Sequence, residues 1–180
     1  MTPAWRNRTI GLALAVAIYG LDRWIKGLVL GPWNLREVGK IDLLPFFDLT
    51  WTQNFGVSLG LFEATSVETR WILVAVTGLI AFVVFVWLLR ERMLGEIAGL
   101  ALILGGAMGN IRDRIRWGYV IDYADFHIGS FRPFLVFNVA DAAITIGVLI
   151  ILARALFMRE KPAAPQGGDL ADKPAETSDA

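Results

Sequence analysis

Asp122 and Asp141 are the residues of this chain best suited to do chemistry as a pair. Asp141 lies inside an apolar run from Phe134 to Leu152. At the centre of a membrane helix an acidic side chain costs roughly 2.5–3.5 kcal/mol on insertion scales. A carboxylate kept there faces protein or a water-filled cavity and marks a site. Asp122 sits among Tyr119, Val120, Ile121 and Tyr123, which desolvate it and raise its pKa. Should the two carboxylates approach to ~4 Å, their repulsion at an effective dielectric near 20 is about 4 kcal/mol, roughly three pKa units. That brings one of them to around neutrality, so the pair holds a single proton and supplies one acid and one base. Such a pair can deprotonate water and protonate a carbonyl oxygen.

The neighbouring polar residues divide into those that chemistry needs and those that packing explains. Asn138, Asp141 and Thr145 fall at i, i+3 and i+7, one face of a helix. Interhelical hydrogen bonding accounts for Thr145. Asn110, one step from a charged link that also carries Asp113, Arg114 and Asp125, is expected in the site; Arg112 and Arg116 read as surface charge. Asp22 and Lys26, at i and i+4, either pair within their own helix or orient site residues from a neighbouring one. The glycine-rich stretch from Asn54 to Gly60 is at least a turn. His127 is the only histidine and reads as interfacial; with no cysteine in the chain, thiolate nucleophiles and multi-histidine or cysteine metal centres are excluded. The His-Glu-x-x-His and Gly-x-Ser-x-Gly signatures are absent as well. The expected chemistry therefore uses no metal and no cofactor.

What must position these residues is a membrane bundle. The chain has 180 residues, enough for one domain, and 56% are hydrophobic, more than a soluble core of that size needs. Seven Trp and eleven Phe suit a lipid boundary, and a net charge of zero provides no basic field for nucleic acid. Four spans are expected, at about residues 9–28, 71–89, 95–111 and 134–157, forming an all-α four-transmembrane-helix bundle within residues 1–158. The second is uncharged between Arg70 and Arg90; the third carries Ala101, Gly105, Gly106 and Gly109, small residues that let helix backbones approach. The extracytoplasmic segment, about residues 29–69, contains Phe46, Phe47, Leu49 and Trp51 among polar residues and predicts a small β-sheet at the membrane surface. Residues 159–180, rich in Pro, Ala, Gly and Asp without aromatics, predict a disordered cytoplasmic tail. Arg6 and Arg8 precede the first apolar run as in a signal peptide, but the Ala13/Ala15 and Ala15/Ala17 pairs fall inside it, so an uncleaved span is expected. Arg6, Arg8, Arg90, Arg92, Arg154, Arg159 and Lys161 lie on one side, predicted cytoplasmic, with both termini. The arginines of the opposite link, Arg112, Arg114, Arg116 and Arg132, alternate with acidic residues and run against that rule.

In order along the chain, Asp22-x-x-x-Lys26, Asn54-x-Gly56 with Gly60, the run from Gly105 through Gly109, Asn110, Asp113 and Arg114 to Gly118 and Asp122-Tyr123, and Phe137-Asn138-Val-Ala-Asp141 resemble the bacterial lipoprotein signal peptidase family, signal peptidase II, over about residues 10–157. The resemblance implies an aspartic endopeptidase of the bacterial inner membrane, a target of globomycin, acting near the periplasmic face. Its substrates would be prolipoproteins whose cysteine carries diacylglycerol, cut just before that cysteine, with the lipid chains left in the bilayer and no oligomer required. By motif position Asp122 and Asp141 would be catalytic. Asn54, Gly56, Asn110, Arg114 and Asn138 would line the site, and Asp22, Lys26 and Asp113 would support it. Arg23 in place of the usual Gln, Leu59 in place of an aromatic, and the charge on Arg112 depart from the family pattern. Two other classes compete. A proton-coupled transporter or channel uses membrane carboxylates too, although four spans without paired broken helices make a poor one. A non-catalytic assembly factor would use the polar stripe as helix glue.

Overall fold

The computed structural model describes residues 3–57, 62–63 and 67–157; the expected tail, Leu59 and Gly60 lie outside the described residues. The chain opens with helix α1, Pro3–Leu30, and the short α2, Leu35–Val38. Strands β1 (Lys40–Leu44), β2 (Phe47–Asn54), β3 (Gly56–Val57) and β4 (Phe62–Glu63) follow. Helices α3, Val67–Arg90, and α4, Leu94–Trp117, then lead to strand β5, Val120–Phe126, and to helix α5, Val139–Phe157.

Three of these helices, α3, α4 and α5, are long and apolar enough to cross a membrane. Half of the most apolar stretch of α4 is buried, against 11% for α3 and 17% for α5, which makes α4 the central helix. Its glycines set the spacing. A Cβ on Gly105 would stand 2.5 Å from the Ala15 carbonyl oxygen of α1, and one on Gly106 2.4 Å from the Ala140 carbonyl oxygen of α5. Those distances are far inside van der Waals contact, so glycine here is a condition of helix approach. Leu88, Ile97, Leu100 and Ala101 form the apolar core on the third side, against α3.

The expected sheet is present and larger than expected. β1, β2 and β5 form a three-stranded antiparallel sheet in that order, with Thr52 opposite Asp122 and Asn54 opposite Val120. β5 was hidden in the sequence because Val120 to Asp125 is buried on both faces, leaving no alternation to read. Gly118, at φ 89°, ends α4 and donates its N–H to the Arg114 carbonyl at 3.1 Å. This left-handed turn suits glycine and redirects the chain into β5.

The fourth helix corrects the sequence reading. It starts at Val139, not at residue 134. Phe137 instead bridges to Ala124 of β5, exchanging backbone hydrogen bonds of 2.7 and 3.0 Å. Asp141 therefore stands in the first turn of α5 rather than at the centre of a membrane helix. Thr145 is exposed on α5 rather than bonded between helices.

Candidate active site

Asn138 occupies the N-cap of α5. Its Oδ1 accepts the Asp141 N–H at 2.9 Å, and the Asp141 Oδ2 accepts the Asn138 N–H at 3.2 Å. This reciprocal pair is a capping box with aspartate at the third helical position, and it satisfies two donors that the helix leaves orphaned. The Asn138 Nδ2 also donates to Asp122 Oδ1 at 2.6 Å. One asparagine thus holds both carboxylates, Asp122 from the middle of β5 and Asp141 from the start of α5.

The remaining carboxylate oxygens are also bonded. Asn54, at the end of β2, donates its Nδ2 to Asp122 Oδ2 at 3.1 Å, and Asn110 of α4 donates its Nδ2 to Asp141 Oδ1 at 2.8 Å. Burial, then the charge of Asp141, pushes Asp122 up to about 7 against the lowering effect of the Asn54 and Asn138 bonds. Both causes named from the sequence are present, and desolvation is the larger, since Asp122 is 1% exposed.

Behind the pair lies a buried ionic cluster. Lys26 pairs with Asp22 at 3.0 Å, one turn along α1, and with Asp113 of α4 at 2.7 Å, and it donates to the Asn110 Oδ1 at 3.3 Å. Both alternatives open for Lys26 therefore hold at once. Asp113 also pairs with Arg23 and accepts the Ile121 N–H of β5 at 3.4 Å. Buried charges persist when paired and hydrogen-bonded in this way. Arg114 donates its Nη2 to the Gly56 carbonyl at 3.0 Å, while its buried Nε finds no hydrogen-bond partner among the described residues.

All ten residues singled out for the site come together: Asp122, Asp141, Asn54, Gly56, Asn110, Arg114, Asn138, Asp22, Lys26 and Asp113. Asp125 does not join them, bonding Thr50 at 3.0 Å and Arg132 at 3.0 Å instead. His127 lies apart from the site as well, with its Nε2 2.7 Å from Asp48. Two contributors were missed. Tyr123, which the motif beside Asp122 included without a role, accepts the Val139 N–H at 3.3 Å with its hydroxyl. Arg23 pairs with Asp113, and its position beside Asp22 was the available signal.

Apolar helices capped by a sheet, with two carboxylates on one asparagine, define a membrane-embedded protein equipped for acid–base hydrolysis. The profile of signal peptidase (SPase) II matches residues 14–157. The chain is 54% identical over 151 residues to the lipoprotein signal peptidase of Sphingopyxis alaskensis, covering 84% of this chain and 87% of that one. It is 53% identical over 154 residues to that of Rhizorhabdus wittichii, covering 86% and 90%. The chain belongs to the signal peptidase II family and is a protease. Two solved bacterial membrane enzymes obtained by the in meso method share the fold. One has a TM-score of 0.71 at 24% identity, covering 87% of this chain and 95% of that one, and the other 0.70 at 25%, covering 83% and 94%.

Proposed function

We propose that this protein removes signal peptides from diacylglyceryl-modified prolipoproteins, cutting before the lipidated cysteine, with Asp122 and Asp141 as the catalytic pair. The observation that carries the proposal is the shared grip of Asn138 on both carboxylates. Asp122 carries the single proton at neutral pH and donates a hydrogen bond to the scissile carbonyl oxygen. Asp141 takes a proton from water as the hydroxyl oxygen bonds to the carbonyl carbon. Collapse of the tetrahedral adduct breaks the C–N bond while the proton held by Asp141 passes to the departing amine. The product acid and the amine of the cysteine leave together, and the pair again holds one proton. Arg114, whose Nε has no hydrogen-bond partner among the described residues, and the asparagines hold peptide carbonyls.

In this reading α1 is a fourth span, both termini are cytoplasmic in the bacterial inner membrane, and the sheet covers the site at the periplasmic face. The uncharged stretch of α1, residues 9–21, covers about 20 Å at 1.5 Å per residue. Two features support a span nonetheless: Asp22 and Lys26 beyond that stretch are fully buried against α4, and α1 is held along α4 at Gly105 and Gly109. The lipid chains of the substrate stay in the bilayer, and one copy of the chain suffices. Incubating purified protein with a diacylglyceryl-modified prolipoprotein tests this. Release of signal peptide in EDTA and its loss with globomycin are expected, and Asp122→Asn or Asp141→Asn should abolish cleavage in a folded protein. Wild-type turnover by either variant removes that aspartate from the mechanism.

A further inference from the structure

α1 and α3 both pack on α4 but leave a groove of about 780 Å³ between them. Leu12, Val16 and Tyr19 of α1, Gly78 and Phe82 of α3 and Met108 of α4 line it. The lining stretches, residues 12–19, 78–85 and 104–111, each cover about 10 Å along the helix axes. The walls are apolar and open outward, with Val16 70% and Phe82 61% exposed. A Cβ on Gly78 would meet nothing within 4 Å, so the groove is unfilled beside it.

One turn beyond the lining residues, both stripes end in an arginine. Arg23 follows Tyr19 at i+4 on α1, and Arg112 follows Met108 at i+4 on α4, so each stands one turn past the lining on the same helix face, at the end nearest the site. Both are half-buried. Arg23 gives one guanidinium nitrogen to Asp113, and Arg112 has no ion pair or hydrogen bond among the described residues. Asp22 and Asp113 pair with Arg23 and Lys26, and Arg112 adds one unpaired positive charge to that end. Arg116, stacked over Trp117, and Arg70, bonded to the Ile115 carbonyl, add to the positive surroundings. The arginines lie where the uncharged part of α1 stops short of a ~30 Å hydrocarbon core, and a short span draws the headgroup layer inward.

We infer that this groove seats one acyl chain of an anionic bilayer phospholipid whose phosphate is held by Arg23 and Arg112. Apolar walls alone would accept any hydrocarbon; the two guanidiniums at one end choose the phosphate-bearing one. The inference rests on α1 crossing the membrane, as proposed above, and not on the chemistry of the aspartates.

Native mass spectrometry of the full chain in neutral detergent tests it, with phosphatidylglycerol and diacylglycerol of the same acyl chains as probes. One phosphatidylglycerol per chain is expected to bind in preference to diacylglycerol. Arg112→Gln should weaken that binding about fivefold, the effect of one basic residue at a lipid surface. Gly78→Leu, whose Cβ enters open space and whose side chain occupies the groove, should abolish the preference. Equal retention of the two lipids would mean a seat for the lipid of the substrate, and a dimer mass in place of the adduct would mean a second copy of the chain; either overturns the proposal. So does full phosphatidylglycerol binding by Arg112→Gln, which decides the matter even if Gly78→Leu fails to fold. The readout involves no cleavage, so its failure and that of the peptidase reading remain separate.

Discussion

Each asparagine facing the two carboxylates is oriented by what holds its oxygen. The Asn54 Oδ1 takes the Gly56 N–H at 3.1 Å, that of Asn110 takes Lys26, and that of Asn138 takes the Asp141 N–H. Their amide nitrogens are thereby turned toward the acids, which favours the ionised form against burial. Asn54→Ala removes one such donor from Asp122, so the pKa of that residue is expected to climb above about 7. A pH–rate profile should show the alkaline fall in cleavage displaced upward. In the wild type that fall is expected as pH passes about 7, where Asp122 loses the proton it must donate. The same group affects stability with a definite sign. Its folded pKa lies above the ordinary 3.8, so the fold keeps a proton that the unfolded chain has already lost. Stability is therefore expected to decline as pH rises from about 4 to about 7 and to level off above. Unfolding in detergent across that window checks it, and Asp122→Asn should flatten the slope.

The elements explain what could be read in advance. The glycine spacing of α4 was legible because close helix approach needs small side chains every fourth residue, whichever partner arrives. The beginning of α5 was not legible from hydropathy, because Phe134 to Phe137 are as apolar as the helix that follows. The capping pattern Asn138-x-x-Asp141 was a better marker of that start. Motif spacing picked out residues that the structure brings together, whereas β5, which carries Asp122, has no pattern of its own. Gly106→Val is expected to drive a side chain into the Ala140 carbonyl, 2.4 Å from the Cβ position, and to push the first turn of α5 away. Cleavage should fall with stability, and since Asn110 bonds Asp141 across that contact, activity should be lost even in the fraction that folds. Lys26→Met leaves Asp22 and Asp113 with their main cation gone; both are fully buried. Breaking a buried pair by removing one partner costs about 3–5 kcal/mol, which a lowered melting temperature in detergent would register.

Across the protein, the buried polar side chains are gathered at one end. α3 leaves most of its surface exposed, α4 is wrapped by the others, and Asp22 and Lys26 of α1, Asp113 of α4, Asp122 of β5 and Asp141 of α5 gather at that end. The proposed topology has a direct check, because the chain contains no cysteine. A single cysteine introduced as Asp42→Cys, on the exposed face of β1, should react with a membrane-impermeant maleimide in intact cells from which the outer membrane has been stripped. Glu91→Cys, between α3 and α4, should react only after lysis. The opposite result inverts the orientation. The capped first turn of α5 bears on biogenesis. Past Asp141 the helix carries no charge before Arg154, so a translocon can release it sideways as an ordinary greasy segment. In the proposed mechanism the peptidase is therefore complete only when α5 has been delivered, and a nascent chain lacking that helix, which holds one aspartate without its companion, is expected not to cut.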